Sequence, residues 1–268
     1  MILIDFHGST HGHFLEYVSN VYIMQTEPGS GKLFNSTGAS HDVDVAYLKN
    51  RMIRCGHFSS NSLNFENTDQ VIRITIDSGN DRQFFIAFTN AIYRAGDVGF
   101  EQQLLRIPQD SRSTPVIHRN AWYSKINERN LYSNFYKNFT EIQIPVFEFP
   151  FESFYIFSEF CKSLNQLATF LNQRFFPDQS LFEIWKKFIE LNQGINSYNK
   201  CNIILENIFA GNDAVIDCTV IEQAWINYNL SKMCRIYNGS MFEQEQYPTN
   251  TKDIYKEIKQ HIEHIRIN

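Results

Sequence analysis

The sequence predicts an α/β fold: helices on both faces of a mostly parallel sheet, in three α/β/α layers, with a helix-rich C-terminal half. Three observations carry this prediction. Short apolar runs bounded by polar turns recur up to Pro150 and alternate with stretches of helical periodicity. From about Phe151 onward the apolar spacing is almost entirely helical. The 268 residues, 43% hydrophobic and 20% charged, are enough to bury a sizeable interior and ordinary for a folded domain. We expect one α/β domain over 1–268, with a helical extension over about 175–268.

The first element sets up the rest. Ile2 to Phe6 is an apolar run long enough for one buried strand and too short for the apolar core of a signal peptide. A small-residue loop follows, His7-Gly8-Ser9-Thr10-His11-Gly12-His13, and from Phe14 the residues Phe14, Leu15, Val18, Val21 and Tyr22 recur at helical spacing. Strand, glycine loop and helix in that order make a cradle for an anion. Gly8 and Gly12 let backbone approach closely, and the helix N-terminus directs its N–H groups at the ligand. The Walker lysine is absent, and histidines hold the polar positions. A strand-to-helix turn whose glycines serve geometry alone is the bland alternative.

Residues 25–40 are rich in Gly, Ser, Thr and Pro and read as a surface loop, with Lys32 most simply a solvated lysine. His41 to Tyr47 reads as a short helix. Arg51 to Ser59 reads as a second strand that ends at Gly56-His57, and strand ends are where doubly wound sheets bind ligands. A histidine there can take a proton near neutral pH. Gln70 to Asp77 is the most β-branched strand, bounded by Ser78-Gly79-Asn80. Residues 81–94 then read as a helix capped by Ser78 or Asn80, with Arg82 in its first turn and Arg94 near its end. A cation opposes the dipole at a helix N-terminus, a placement that makes sense beside a bound anion, or beside Asp81 or Glu101. Residues 120–129 read as a short helix with an aromatic-basic face that carries Trp122, Tyr123 and Arg129. Glu141 to Pro150 is a further strand, with Pro145 marking an edge or an end. Amphipathic helices follow up to Leu171-Asn172, then over Ser180–Leu191, Asn199–Phe209, Thr219–Ile236 and Lys252–Ile265.

A net charge of −5 without a long basic run argues against general nucleic-acid binding. The five cysteines, Cys55, Cys161, Cys201, Cys218 and Cys234, form no C-x-x-C pair and read as reduced thiols of a cytoplasmic protein. No stretch reaches the roughly 20 apolar residues of a membrane span.

The order of these features resembles the sulfotransferases that use 3′-phosphoadenosine 5′-phosphosulfate, which have a P-loop-type α/β fold. The matching parts are the loop His7–His13, the strand ending in His57, and the strand and helix over Val71–Arg82. Phe147 to Phe154, leading into a helix, is similar to a further family segment. The resemblance implies that His7, Gly8, Ser9, Thr10, His11, Gly12, His13 and Phe14 cradle the donor's phosphosulfate. It implies that Ser78, Arg82 and Arg94 hold its 3′ phosphate, and that His57 is the general base. The expected reaction moves a sulfuryl group to a hydroxyl of a glycan or other small acceptor, with no metal. His11 or His13 then does part of the electrostatic work that the missing lysine supplies in the family.

Three rivals stay open. A phosphotransferase could use the same cradle with Mg²⁺ held by Asp77. Asp5, His7, His11 and His13 have the residue types of a hydrolase metal cluster. A non-catalytic relative would keep the fold and bind a nucleotide or glycan.

Overall fold

The computed structural model describes residues 1–6, 10–28, 33–34, 48, 50–57, 68–76, 80, 82–83, 85–87, 89–90, 144–210, 212, 217–219, 222, 225–226 and 229. Its frame is a sheet of four strands, β1 (Ile2–Phe6), β2 (Ile53–His57), β3 (Gln70–Thr75) and β4 (Val146–Pro150). Their order is β2-β1-β3-β4, and every pairing is parallel. The chain therefore lays β2 on one side of β1 and crosses to lay β3 on the other. The crevice beyond the carboxyl ends of β1 and β3 is the switch point at which open α/β sheets bind ligands.

All four strands lie within the ranges that the sequence predicts, and side-chain alternation explains why. Ile4, Phe6, Ile72, Ile74 and Phe149 share one face of the sheet, while Leu3, Asp5, Val71 and Arg73 share the other. Both sets are buried, as parallel strands require. Asp5 and Arg73 are cross-strand partners, and Arg73 Nε donates to Asp5 Oδ2 at 3.1 Å. β4 starts just after Pro145, which has no N–H to give a ladder but whose carbonyl accepts from Val71 N–H at 3.0 Å.

Helix α1 (Gly12–Tyr22) begins two residues before Phe14. His11 precedes it with φ 67°, the left-handed region, and turns the chain from the loop into the helix. Phe14, Leu15 and Val18 are buried. On its β2 side α1 carries polar side chains. Asn20 Oδ1 accepts from Met52 and Ile53 N–H at 2.9 and 3.1 Å, and its Nδ2 donates to Ile53 and Glu16 carbonyls at 2.9 and 2.8 Å. Glu16 Oε2 accepts from Cys55 N–H at 3.1 Å. These side chains serve β2 backbone groups as a neighbouring strand would.

After β4 a 3-10 turn (Phe151–Tyr155) leads to α2 (Phe157–Phe170), α3 (Gln179–Leu191) and α4 (Gln193–Phe209). The side chain of Asp178 caps α3 through Leu181 N–H, and that of Asn192 receives Ile195 N–H at the start of α4. Phe14 stacks on Phe188 with ring centroids 3.9 Å apart, and Phe154 and Phe160 close the aromatic core around them.

The chain divides into two units, residues 1–97 with 137–196 and residues 98–136 with 197–268. The division falls within α4, whereas the sequence suggests an extension from about 175; α3 belongs with the sheet. In the second unit Thr219 and Glu222 form a reciprocal cap. Glu222 N–H donates to Thr219 Oγ1, Thr219 N–H donates to the Glu222 carboxylate, and Lys200 also binds that carboxylate at 2.8 Å. Helical residues 222, 225, 226 and 229 follow this cap, within the predicted Thr219–Ile236. Among the described residues no helix is long and apolar enough to cross a membrane. The segments predicted over 41–47, 120–129 and 252–265 lie outside the described residues, as do Lys32, Asp77, Trp122 and Tyr123.

Candidate functional site

The carboxyl edge of the sheet brings together the ends of β1, β2 and β3. Phe6 and His57 are register partners, so the last residue of β2 stands beside the last residue of β1, where the predicted cradle begins. His7, Gly8 and Ser9, and Ser78 and Arg94 elsewhere, lie outside the described residues. Thr10, His11, Gly12, His13, Phe14 and Arg82 are described, and their environments divide them.

His11 is a core residue. Its ring stacks on Phe151 at 5.3 Å and meets Phe154, Tyr155 and Phe188 edge-on. Nε2 lies 3.2 Å from Asn192 Nδ2 and 3.2 Å from the Tyr155 hydroxyl. An amide nitrogen can only donate, so Nε2 accepts, Tyr155 donates as well, and the ring proton sits on Nδ1. Burial lowers the His11 pKa from 6.5 to about 3, and the ring is neutral at physiological pH. The sequence assigned His11 part of the missing lysine's electrostatic work; a buried neutral imidazole supplies no such charge.

Phe14, also expected in the cradle, is packed in the aromatic core. Thr10 is fully buried. Gly12 has a steric reason: an added Cβ would come within 2.3 Å of the Phe6 ring. His13 remains at the surface margin. Its ring meets Phe6 edge-on at 5.5 Å, and its Nδ1 lies 3.7 Å from Glu16 Oε2.

Arg82 sits where the sequence places it, in the first helical turn after Asn80, whose side chain accepts Gln83 N–H at 3.2 Å. That confirms Asn80 as the cap. Arg82 pairs with Glu152 at 3.4 Å, and Gln83 donates to the same carboxylate at 3.1 Å. Among the described residues its partner is an acid just beyond β4, and Asp81 and Glu101 lie outside them.

Of the four residues read as a hydrolase metal cluster, His7 lies outside the described residues and two others are engaged elsewhere. Asp5 is held by Arg73, and His11 by Tyr155 and Asn192. A different set gathers between α1 and β2, namely His13, Glu16 and Cys55. Glu16 is almost wholly buried, yet its pKa is below the usual range. Burial alone would raise it, and the hydrogen bonds of His13 and Cys55, with the Arg51 charge, outweigh burial. Burial, then the Glu16 charge, push the Cys55 thiol well above its ordinary value.

No family model, curated protein or solved structure matches the chain.

Sequence reasoning singled out the histidines but missed Glu16, Arg73, Glu152, Tyr155 and Asn192. Two of these left signals. Glu16 is one helical turn from His13, and Arg73 is a charge inside a β-branched run, which calls for a buried partner.

Proposed function

We propose that the protein is a transferase that moves a sulfuryl group from 3′-phosphoadenosine 5′-phosphosulfate to a hydroxyl of a glycan or other small acceptor. One observation supports this reading most: the Phe6–His57 register pairing. It sets a strand-terminal histidine one strand spacing, about 4.8 Å, from the start of the loop that leads to α1. A base beside an anion cradle is what in-line transfer to a hydroxyl needs. In this reading residues 7–10 and the first N–H groups of α1 hold the donor's phosphosulfate. His57 takes the acceptor proton. The first turn of α1 contains no acid to oppose an anion. Ser78, Arg82 and Arg94 remain the residues proposed for the 3′ phosphate.

The pairing of Arg82 with Glu152 and the neutrality of His11 favour a second reading, a nucleotide or glycan binder without turnover. Thermal unfolding tests both. At about 100 times its dissociation constant, adenosine 3′,5′-bisphosphate should stabilise the protein by about 2.7 kcal/mol, while ATP with Mg²⁺ should not. Stabilisation by ATP with Mg²⁺ alone would indicate a phosphotransferase, and stabilisation by neither nucleotide would remove the donor from the proposal. His57→Ala should keep bisphosphate binding and lose sulfuryl transfer. Binding by the parent without any transfer would leave the binder.

A further inference from the structure

We propose that His13, Glu16 and Cys55 form a three-ligand site for a divalent ion of the zinc class, with a fourth position for water. The proposal does not depend on the transferase reading, and it departs from the metal-free expectation drawn from the sequence.

The donor set comes first. An imidazole nitrogen, a carboxylate oxygen and a sulfur are the three protein ligand types that zinc takes. Their donor atoms all lie within 4.8 Å of one another, and His13 Nδ1 and Glu16 Oε2 are 3.7 Å apart. Around a tetrahedral ion with bonds of about 2.0 to 2.3 Å, donor atoms stand roughly 3.3 to 3.8 Å apart. One pair is already at that spacing, and modest side-chain rotation closes the rest.

The supporting groups come next. His13 and Glu16 are i and i+3 on α1 and so share a face, while Cys55 lies on β2 against that face. The Glu16 carboxylate is divided between two tasks. Oε1 faces Arg51 at 3.4 Å, and Oε2, on the His13 side, is fixed by Cys55 N–H. Arg51 therefore orients the ligand from the oxygen that does not bind the ion. The Phe6 ring packs against the His13 ring at a steep angle, 72° between their planes.

Charge then balances. Zinc brings two positive charges, and the Glu16 carboxylate and Cys55 thiolate bring two negative ones. As the metal–sulfur bond forms, the thiol proton passes to buffer, and neutral His13 donates its lone pair.

Titration of the full-length protein with Co²⁺, a spectroscopic stand-in for zinc, tests the site. The expected result is one equivalent bound, visible absorption of tetrahedral intensity, and a near-ultraviolet thiolate-to-cobalt band. Added Zn²⁺ should displace the cobalt. Cys55→Ser should lose the thiolate band, and His13→Gln should weaken binding at least tenfold with far-ultraviolet circular dichroism unchanged. A second measurement needs no variant. Zn²⁺ should protect Cys55, but not Cys161, from alkylation mapped by mass spectrometry. Absence of stoichiometric binding, a thiolate band that survives Cys55→Ser, or equal alkylation of Cys55 with and without Zn²⁺ would each overturn the proposal.

Discussion

Asp5 lies near the end of β1 and His11 just before α1, and burial displaces their titrations in opposite directions. Burial raises the Asp5 pKa from 3.8 to about 7, more than the hydrogen bond and charge of Arg73 lower it. Burial lowers His11 from 6.5 to about 3. Between about pH 4.5 and 6 the folded protein thus carries a proton on Asp5 that the unfolded chain has released. Over the same range it lacks a proton on His11 that the unfolded chain has taken up. By linkage, Asp5 stabilises the fold at low pH and that contribution is lost as pH rises towards 7. His11 does the reverse, and its neutral form costs stability as pH falls below 6.5. Each slope is about 1.4 kcal/mol per pH unit, and in the parent protein the two cancel. Asp5→Asn should therefore become less stable on acidification across this range relative to the parent, and His11→Phe less stable on alkalinisation. Urea denaturation at pH 4.5 and 6 reads both slopes. Parallel pH profiles for the parent and either variant would show that the group in question is not displaced by burial.

At the scale of elements, the α1–β2 contact is stitched by side chains on backbone. Asn20 makes four hydrogen bonds, three of them to Met52 and Ile53. Asn20→Ala strands buried N–H and carbonyl groups, and should cost about 3 kcal/mol of stability. Asn165→Ala, on the exposed side of α2, should stay within about 0.5 kcal/mol, and chemical denaturation compares the two. A small loss for Asn20→Ala would mean that water replaces the side chain at the strand edge. Elements of this kind were largely legible in the sequence. Ile2–Phe6 and the β-branched stretch from Gln70 announce themselves by composition, and Phe160, Leu164 and Leu167 by helical spacing. Their partners were not legible. His11 is defined by Tyr155, 144 residues away, and by Asn192, 181 residues away, and no local periodicity contains that information. Gly12 was read as making room for an anion, but what it makes room for is the Phe6 ring. Local patterns record which face of an element is apolar; they do not record what the polar exceptions meet.

At the scale of the molecule, the sheet order places β1 inside the sheet, between two strands that follow it in the chain. It is bonded to β2 on one side and to β3 on the other. The connection from α1 to β2 leaves and returns through the Pro28–Leu48 bridge, with Asn20 joining its two ends a little further in. A protease site engineered between those bridge residues should, once cut, yield a two-piece protein. Its pieces would co-elute in size-exclusion chromatography and separate only in denaturant. Neither piece owns a complete sheet, so the cut is mended by geometry without a peptide bond. The same chain could then be supplied as a short peptide and a larger receiver, assembled on mixing.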